Sequence, residues 1–300
     1  MNSLKTLLRH SLDYAGMFPP ATLSLEAAVT KYAECLTGPD SWILSRFVCP
    51  ANQLNDLDPF MRLFRDTSSF AVSSLGVPRG VSQSGVPVTA VEAPLPPELL
   101  RRADTSAIQD VIRAVVAQME RPDVTPFFEA PAKDPWRQAT AATITAIADH
   151  NGSWKAGRWR PAAFKLRTGG VTADAFPPVE QVAFVIETCL EHGVAFKCTA
   201  GLHHPVRRQD ESVGTKMHGF LNVLGASVLA YAGKVKGDNL RAVLADEDPA
   251  SFRFDEQGLT WRKARVSIAD ISSARRDLMV AFGSCSFEEP LDDLRALGLL

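Results

Sequence analysis

Four ionisable side chains stand at the ends of short apolar stretches of the sequence. Glu92 and Glu129 each begin a Glu-Ala-Pro sequence after an apolar run, while Lys165 and Lys197 each follow a phenylalanine. A charged group inside an otherwise apolar strand is costly unless it is paired. Two acids and two bases could therefore pair at one place, as either a structural ionic network or a catalytic centre.

The two lysines lie 32 residues apart, which is the length of one strand-helix unit. On adjacent strands their ammonium groups could approach each other. A lysine that is desolvated beside a second cation loses its proton more easily and becomes a nucleophilic amine. Lys165 and Lys197 therefore predict Schiff-base chemistry with a carbonyl compound; a structural Lys–Glu pair for each is the alternative.

The residues after Lys165 favour an anion site. Arg167 has the same strand parity as Lys165, so both side chains point the same way. Two glycines, Gly169 and Gly170, then allow backbone N–H groups to approach an anion, and Thr168 adds a hydroxyl. The segment predicts a site for a phosphate or carboxylate; a tight turn without a ligand is the other interpretation.

Histidines offer a different chemistry. With Glu92, Glu129 or Asp13 as partners, three of them could bind a divalent metal: His203, His204 and His218. Adjacent histidines rarely ligate one metal because their side chains diverge, and no H-x-H or H-E-x-x-H spacing occurs. The alternative is that one of them, such as His203, hydrogen-bonds the site and acts as acid or base.

Strand-like and helix-like segments alternate along the chain. Six apolar runs of strand length are predicted as buried strands, at 45–49, 70–75, 88–92, 124–129, 162–166 and 194–198, with 12–17 as a seventh. Helical periodicity appears at 107–119 and 179–190. This alternation predicts parallel strands in an α/β fold, a (β/α)8-type (TIM-like) barrel, with an open doubly wound sheet as the alternative. In such a barrel the site forms at the C-terminal ends of the strands.

The C-terminal quarter departs from this pattern. Residues 252–254 and 259–261 flank a turn and predict a hairpin. An eighth strand is not obvious, and 282–286 is either that strand or a loop. We predict one barrel domain over residues 1–300, in which the irregular segment 234–300 either completes the barrel or forms a cap with the hairpin.

Composition limits the classes of function. The chain is 46% hydrophobic and 22% charged with a net charge of −2, which provides no sequence-wide basic field for nucleic acid. Five scattered cysteines and the lack of a recognisable signal peptide predict reduced thiols and a cytoplasmic protein. The apolar stretch at 220–232 is too short to span a membrane and predicts a buried helix.

We expect a small anionic substrate, no cofactor, no nucleic acid or membrane partner, and a possible homo-oligomer.

Three segments together resemble class I (Schiff-base) aldolases of the deoxyribose-phosphate aldolase type. Those barrels have a Lys-x-x-Thr-Gly strand end, a Lys-x-x-Gly-Gly strand end one unit later, and a Gly-x-Ser-Ser loop after the last strand. The corresponding sequences here are Lys-Leu-Arg-Thr-Gly at 165–169, Lys-Cys-Thr-Ala-Gly at 197–201 and Gly-Ser-Cys-Ser at 283–286. Ala200 replaces a glycine of the second motif, and Glu92 or Glu129 would have to serve for the family's aspartate.

The resemblance implies roles for individual residues. Lys165 would form the Schiff base, and Lys197 would depress its pKa. The residues that it places near a phosphate are Gly169, Gly170, Ser284 and Ser286.

The sequence as a whole predicts an enzyme of the lyase class. It would make or break a C–C bond, or move a proton beside a carbonyl, through an imine on Lys165 or Lys197, with Glu129 or Glu92 as acid and base. The expected substrate-binding residues are Arg167, Thr168, Gly169, Gly170, Thr199, His203 and Ser284. Two alternatives stay open: a metal-dependent lyase, isomerase or hydrolase, and a non-catalytic barrel that binds a small molecule.

Overall fold

The computed structural model describes residues 2–65, 69–78, 85–119, 121–130, 135–153 and 160–300. Its strands are β1 Leu12–Tyr14, β2 Leu44–Pro50, β3 Val72–Leu75, β4 Val88–Pro94, β5 Thr125–Glu129, β6 Ala163–Arg167, β7 Phe196–Thr199, β8 Arg208–Asp210, β9 Thr215–Met217, β10 Phe252–Phe254, β11 Gly258–Trp261, β12 Ala264–Ser267 and β13 Met279–Ser284. Its α-helices are α1 Asn2–Leu8, α2 Leu25–Thr37, α3 Pro97–Arg102, α4 Thr105–Ala117, α5 Trp136–Ser153, α6 Val179–His192, α7 Phe220–Tyr231, α8 Asp238–Ala245, α9 Ile268–Asp277 and α10 Glu288–Ala296. Short 3-10 segments lie at Ala51–Gln53, Asn55–Phe64, Ala173–Ala175 and Pro249–Ser251.

Eight parallel strands close into a barrel in the order β1, β2, β3, β4, β5, β6, β7 and β13. The closing pair is β1 with β13, where Leu12 lies opposite Phe282. The (β/α)8-type barrel is therefore confirmed, and the open doubly wound sheet is excluded because its edge strands would not pair. The short N-terminal run forms the first barrel strand, and the ambiguous 282–286 segment contributes to the eighth.

The strands form because their β-branched and aromatic residues fill the interior of the barrel and its contact with the helices. Helix α6 illustrates the outer layer. Val182, Val185, Ile186 and Cys189 are buried on one face, and the helix ends at Gly193, which adopts a left-handed conformation with φ of 62°. Nearly the whole of α7 is buried, as its all-round apolar sequence predicts. Among the described residues, no helix combines the length and apolar character required for a membrane span.

Residues between β7 and β13 form a small added region. Strands β10 and β11 pair antiparallel, with Phe252 opposite Trp261, and β12 extends them to a three-stranded sheet. Helix α9 then begins with a capping box in which Ser267 and Asp270 bond each other's backbone N–H. This helix leads directly into β13 and so returns the chain to the barrel.

Candidate active site

Adjacent parallel strands bring the two lysines together at the C-terminal end of the barrel. Lys165 on β6 lies directly opposite Lys197 on β7 in the register. On the other side of β6, Lys165 lies opposite Glu129 of β5. Glu92 lies near the end of β4, one strand further round. The barrel therefore places all four residues predicted as the catalytic set at one end.

Glu92 links the two lysines. One of its carboxylate oxygens accepts a hydrogen bond from Lys165 Nζ at 2.8 Å, and the other accepts one from Lys197 Nζ at 2.6 Å. The hydroxyl of Ser73 on β3 donates to the same carboxylate at 2.7 Å. The side chain of Glu92 is only 2% exposed, so each of these bonds replaces water that burial has removed.

Lys197 is fully buried and has a second carboxylate partner. Its Nζ lies 2.5 Å from Oδ2 of Asp13, and it also lies 5.2 Å from the centre of the Phe127 ring. Asp13 comes from β1, and its other oxygen accepts from the backbone N–H of Arg46 at 3.1 Å. These contacts hold Lys197 in place from three strands.

Lys165 lies where the buried network meets solvent. Its Nζ is 2.8 Å from Oε2 of Glu129, and the Nε of Arg167 is 3.1 Å from the other oxygen of that carboxylate. Exposure of the side chain rises from 8% for Lys165 to 21% for Glu129 and 48% for Arg167. Lys165 and Arg167 point the same way, as their strand parity predicts. The three residues therefore lead outward from the barrel interior.

The charges in this network shift the pKa values of its carboxyl and ammonium groups. Burial raises the pKa of the Glu92 carboxyl, but Lys197 and Lys165 outweigh burial and hold it well below its ordinary range. Burial is likewise overcome at Glu129, where Lys165 and Arg167 lower the pKa. At Lys165, burial lowers the pKa, but Glu92 and Glu129 outweigh it and raise the value. The expectation that Lys197 depresses the pKa of Lys165 is therefore wrong, because carboxylates surround both ammonium groups.

The glycine-rich turn after β6 is shaped by packing. A Cβ on Gly169 would lie 2.7 Å from the Cα of Gly201 and 2.7 Å from the Phe176 ring. A Cβ on Gly170 would lie 2.7 Å from the Cβ of Ala175. Both glycines are thus required by close approach of their neighbours. This requirement exists whether or not the turn also binds an anion.

Hydroxyl groups near the site differ in what they contact. The hydroxyl of Thr168 donates to the carbonyl of Ala200 at 2.6 Å. This hydrogen bond connects the loop after β6 to the loop after β7. Ser284, at the end of β13, accepts from the backbone N–H of Ser286 at 3.3 Å. The hydroxyl of Thr199, next to Arg167 in the register, is buried and has no hydrogen-bond partner within the described part of the chain.

The neighbouring histidines are bonded to α10. Nδ1 of His203 lies 3.0 Å from Glu289 and 4.0 Å from Sγ of Cys285. Nδ1 of His204 lies 2.7 Å from Asp293. Burial lowers the pKa of His203, but hydrogen bonds to Cys285 and Glu289 outweigh it and raise the value to about 9.

The third predicted histidine lies elsewhere. Nε2 of His218 is 2.7 Å from the carbonyl of Pro177, and burial lowers the pKa of this side chain to about 4. Across the described ranges, no group of three or more histidine, cysteine, aspartate or glutamate side chains has an arrangement suited to a metal ion. The metal-dependent alternative therefore gains no support from the geometry.

Sequence reasoning left Asp13 outside the predicted catalytic set and missed Ser73 and Glu289. Asp13 is a charged residue in a short apolar strand, which is the same signal that identified Glu92. Ser73 carries no such signal because serine is common in strands and loops alike. Glu289 lies 86 residues from His203, and only the pairing of β7 with β13 brings their loops together.

Comparison with known proteins adds little to these observations. No protein-family model matches the chain, and no curated protein matches its sequence. Among solved structures, a deoxyribose phosphate aldolase from Aeropyrum pernix, described as a unique tetramer, aligns with 99% of this chain and 94% of its own. The two chains are 10% identical with a TM-score of 0.46.

Proposed function

We propose that this barrel is a lyase-type enzyme that forms an imine between Lys165 and a small carbonyl substrate. The observation that carries the proposal is the position of Lys165 between two carboxylates at the outer edge of the buried network. Lys197 has no exposed surface and two carboxylate partners of its own. It therefore serves to hold Asp13 and Glu92, while Lys165 is the amine that a substrate can reach.

The carboxylate of Glu129 is suited to move protons during imine formation. It takes a proton from the Lys165 ammonium, and the free amine attacks the carbonyl carbon to give a carbinolamine. Glu129 then returns that proton to the carbinolamine oxygen, removes a second proton from nitrogen and delivers it to the departing hydroxyl. One water leaves, and the nitrogen keeps one hydrogen and its positive charge as an iminium ion.

The iminium ion retains the charge that Glu92 neutralises in the resting protein. The pair with Glu92 therefore persists when the ammonium becomes an iminium. The iminium accepts the electron pair of the bond between the α and β carbons of the substrate as that bond breaks, which gives an enamine. In this proposal Glu129 takes the proton that the substrate hydroxyl releases in the same step.

An anionic group on the substrate fits the exposed side of the site. Arg167 donates a hydrogen bond to Glu129 through Nε. Its two terminal amino groups have no hydrogen-bond partner among the residues described. They can bind a carboxylate or phosphate in a bidentate manner. The unpartnered hydroxyl of Thr199 provides a second polar group beside it.

Reductive trapping tests this proposal. The protein is incubated with candidate aldehydes and ketones that carry a carboxylate or phosphate, and borohydride reduces any imine to a stable amine. We expect Lys165→Met to abolish the trapped adduct and the matched surface variant Lys234→Met to retain it. Active protein that forms no adduct on Lys165 or Lys197 would reject the imine mechanism and leave the ionic network as a structural feature.

A further inference from the structure

A second cationic site lies at the opposite end of the barrel. A cleft of about 660 Å³ opens between α1 and α9, where these helices lead into β1 and β13. Its lining includes Lys5, Arg9, His10, Ser272, Arg275 and Arg276. The lining contains four basic side chains and a histidine but no aspartate or glutamate. This volume lies within the range of small-molecule sites.

The basic side chains of the cleft are poorly neutralised. Within the described part of the chain, no ion pair involves Lys5, Arg9 or Arg275, although Arg276 is paired with Asp277. Arg9 follows the last residue of α1, and its backbone N–H donates to the carbonyl of Lys5 at 2.9 Å, so these two like charges lie about one helical turn apart. Arg275 and Arg276 come from the facing helix. An anion in the cleft would relieve this repulsion.

Within the described residues, the guanidinium of Arg275 bonds only backbone carbonyls. Its terminal amino groups donate to the backbone carbonyls of Met279 and Arg9, and neither acceptor carries a full charge. Its Nε is buried and has no hydrogen-bond partner among the described residues. Burial lowers the pKa of its guanidinium to about 10, because the attraction of Asp13 offsets only part of the desolvation and Arg46 adds repulsion.

We infer that this cleft binds a small phosphate-bearing molecule at the bottom of the barrel. Guanidinium and ammonium groups together with the hydroxyl of Ser272 are the usual kinds of phosphate donor. Several separated cations suit a ligand with more than one phosphate. The site is distinct from Lys165 and does not depend on imine chemistry, because it lies at the other end of the strands.

Calorimetric titration with inorganic pyrophosphate, and separately with ATP, tests this inference on the full chain. We expect Arg9→Gln and Lys5→Gln each to weaken binding by about tenfold, which is the loss expected for one charged hydrogen bond. The control variant Arg113→Gln, on the exposed face of α4, should bind as the wild type does. Arg167→Gln removes the anion site proposed at the opposite end and should leave the cleft able to bind pyrophosphate. Higher salt should weaken the binding.

Each result distinguishes the two ends of the barrel. Pyrophosphate binding that Arg167→Gln abolishes, or that Arg9→Gln and Lys5→Gln leave unchanged, would overturn the inference, as would no binding of either probe. Thermal unfolding without ligand gives a second measurement. Arg9→Gln should unfold at the same or a higher temperature than the wild type because it relieves repulsion, while losing the stabilisation by pyrophosphate.

Discussion

Lys165 and Lys197 are direct neighbours in the register of β6 and β7, and the carboxylate of Glu92 accepts a hydrogen bond from each. The shared carboxylate therefore offsets the repulsion between the two cations. With Asp13 and Glu129 as outer partners, each buried lysine has two carboxylate partners. Such a network holds its members in fixed positions and makes the removal of any one of them costly.

Glu92→Gln should destabilise the protein strongly. The amide cannot neutralise the two ammonium groups that the carboxylate bonds, and all three side chains are nearly inaccessible to water. Breaking a buried ion pair from one side costs about 3–5 kcal/mol in the free energy of unfolding. Urea denaturation measures the change.

Ser73→Ala is the matched control for this substitution. It removes one neutral donor from the same carboxylate and should cost about 1 kcal/mol. Equal losses for Glu92→Gln and Ser73→Ala would show that the charge of Glu92 does not stabilise the network.

Glu129→Gln should slow imine trapping, because it removes the group that moves protons, and should shift the pH dependence of the remaining rate to lower pH. Glu92 and Glu129 raise the pKa of Lys165 above its ordinary value of 10.5, so in the wild type the free amine accumulates only at high pH. Without the charge of Glu129, the amine loses its proton more easily. The rate of borohydride-trapped adduct formation, followed against pH, measures this shift.

A surface glutamate provides the comparison for Glu129→Gln. Glu247→Gln removes a half-exposed carboxylate that pairs with Lys216, far from the lysine pair in sequence. Its trapping profile should match the wild type. If Glu129→Gln also leaves the profile in place, Glu129 does not control the protonation of Lys165.

Gly169→Ala should destabilise the turn after β6. The new methyl group would lie 2.7 Å from both the Cα of Gly201 and the Phe176 ring, and the backbone of Gly201 cannot move aside as a flexible side chain could. Overpacking of this kind costs about 1–3 kcal/mol. Gly152→Ala in α5 is the control, because a Cβ there meets nothing within 4 Å. An unchanged urea midpoint for Gly169→Ala would contradict the close approach.

The bond between His203 and Glu289 should stabilise the protein below neutral pH and weaken at alkaline pH. The pKa of His203 rises from its ordinary value of 6.5 to about 9 on folding. A raised histidine pKa gives stability that is fully present below 6.5 and is lost as pH rises through about 9. Glu289→Gln should reduce this decline, measured as the free energy of unfolding against pH.

Asp292→Asn, which changes an exposed neighbour, should keep the decline. A decline of wild-type size in Glu289→Gln would show that the bond between His203 and Glu289 does not cause it.

Much of this site followed from the sequence because it depends on local pattern. Apolar runs defined the strands, and the position of Glu92, Glu129, Lys165 and Lys197 near the ends of those runs was sufficient to expect their convergence. Because Arg167 and Lys165 are two residues apart on one strand, the sequence also predicted that their side chains point the same way. These features follow from the twofold period of a strand and the common direction of parallel strands.

The remainder depends on three-dimensional neighbours that no local pattern reveals. The sequence could not show that Glu92 would lie between the lysines, and this contact reverses the expected change in the pKa of Lys165. Nor could it show that Thr168 would donate to Ala200 in the next loop. The eighth strand was ambiguous because β13 follows an added sheet and helix rather than a single βα unit.

The most direct test of the account is the mass of the peptide that contains Lys165 after borohydride reduction in the presence of a carbonyl substrate. We predict a mass increase equal to the substrate minus one oxygen, located on Lys165, absent without borohydride and absent from the peptide that contains Lys197. An adduct on Lys197 alone would contradict the assignment of the two lysines. Turnover of the same substrate with no adduct on either lysine would contradict the imine mechanism itself.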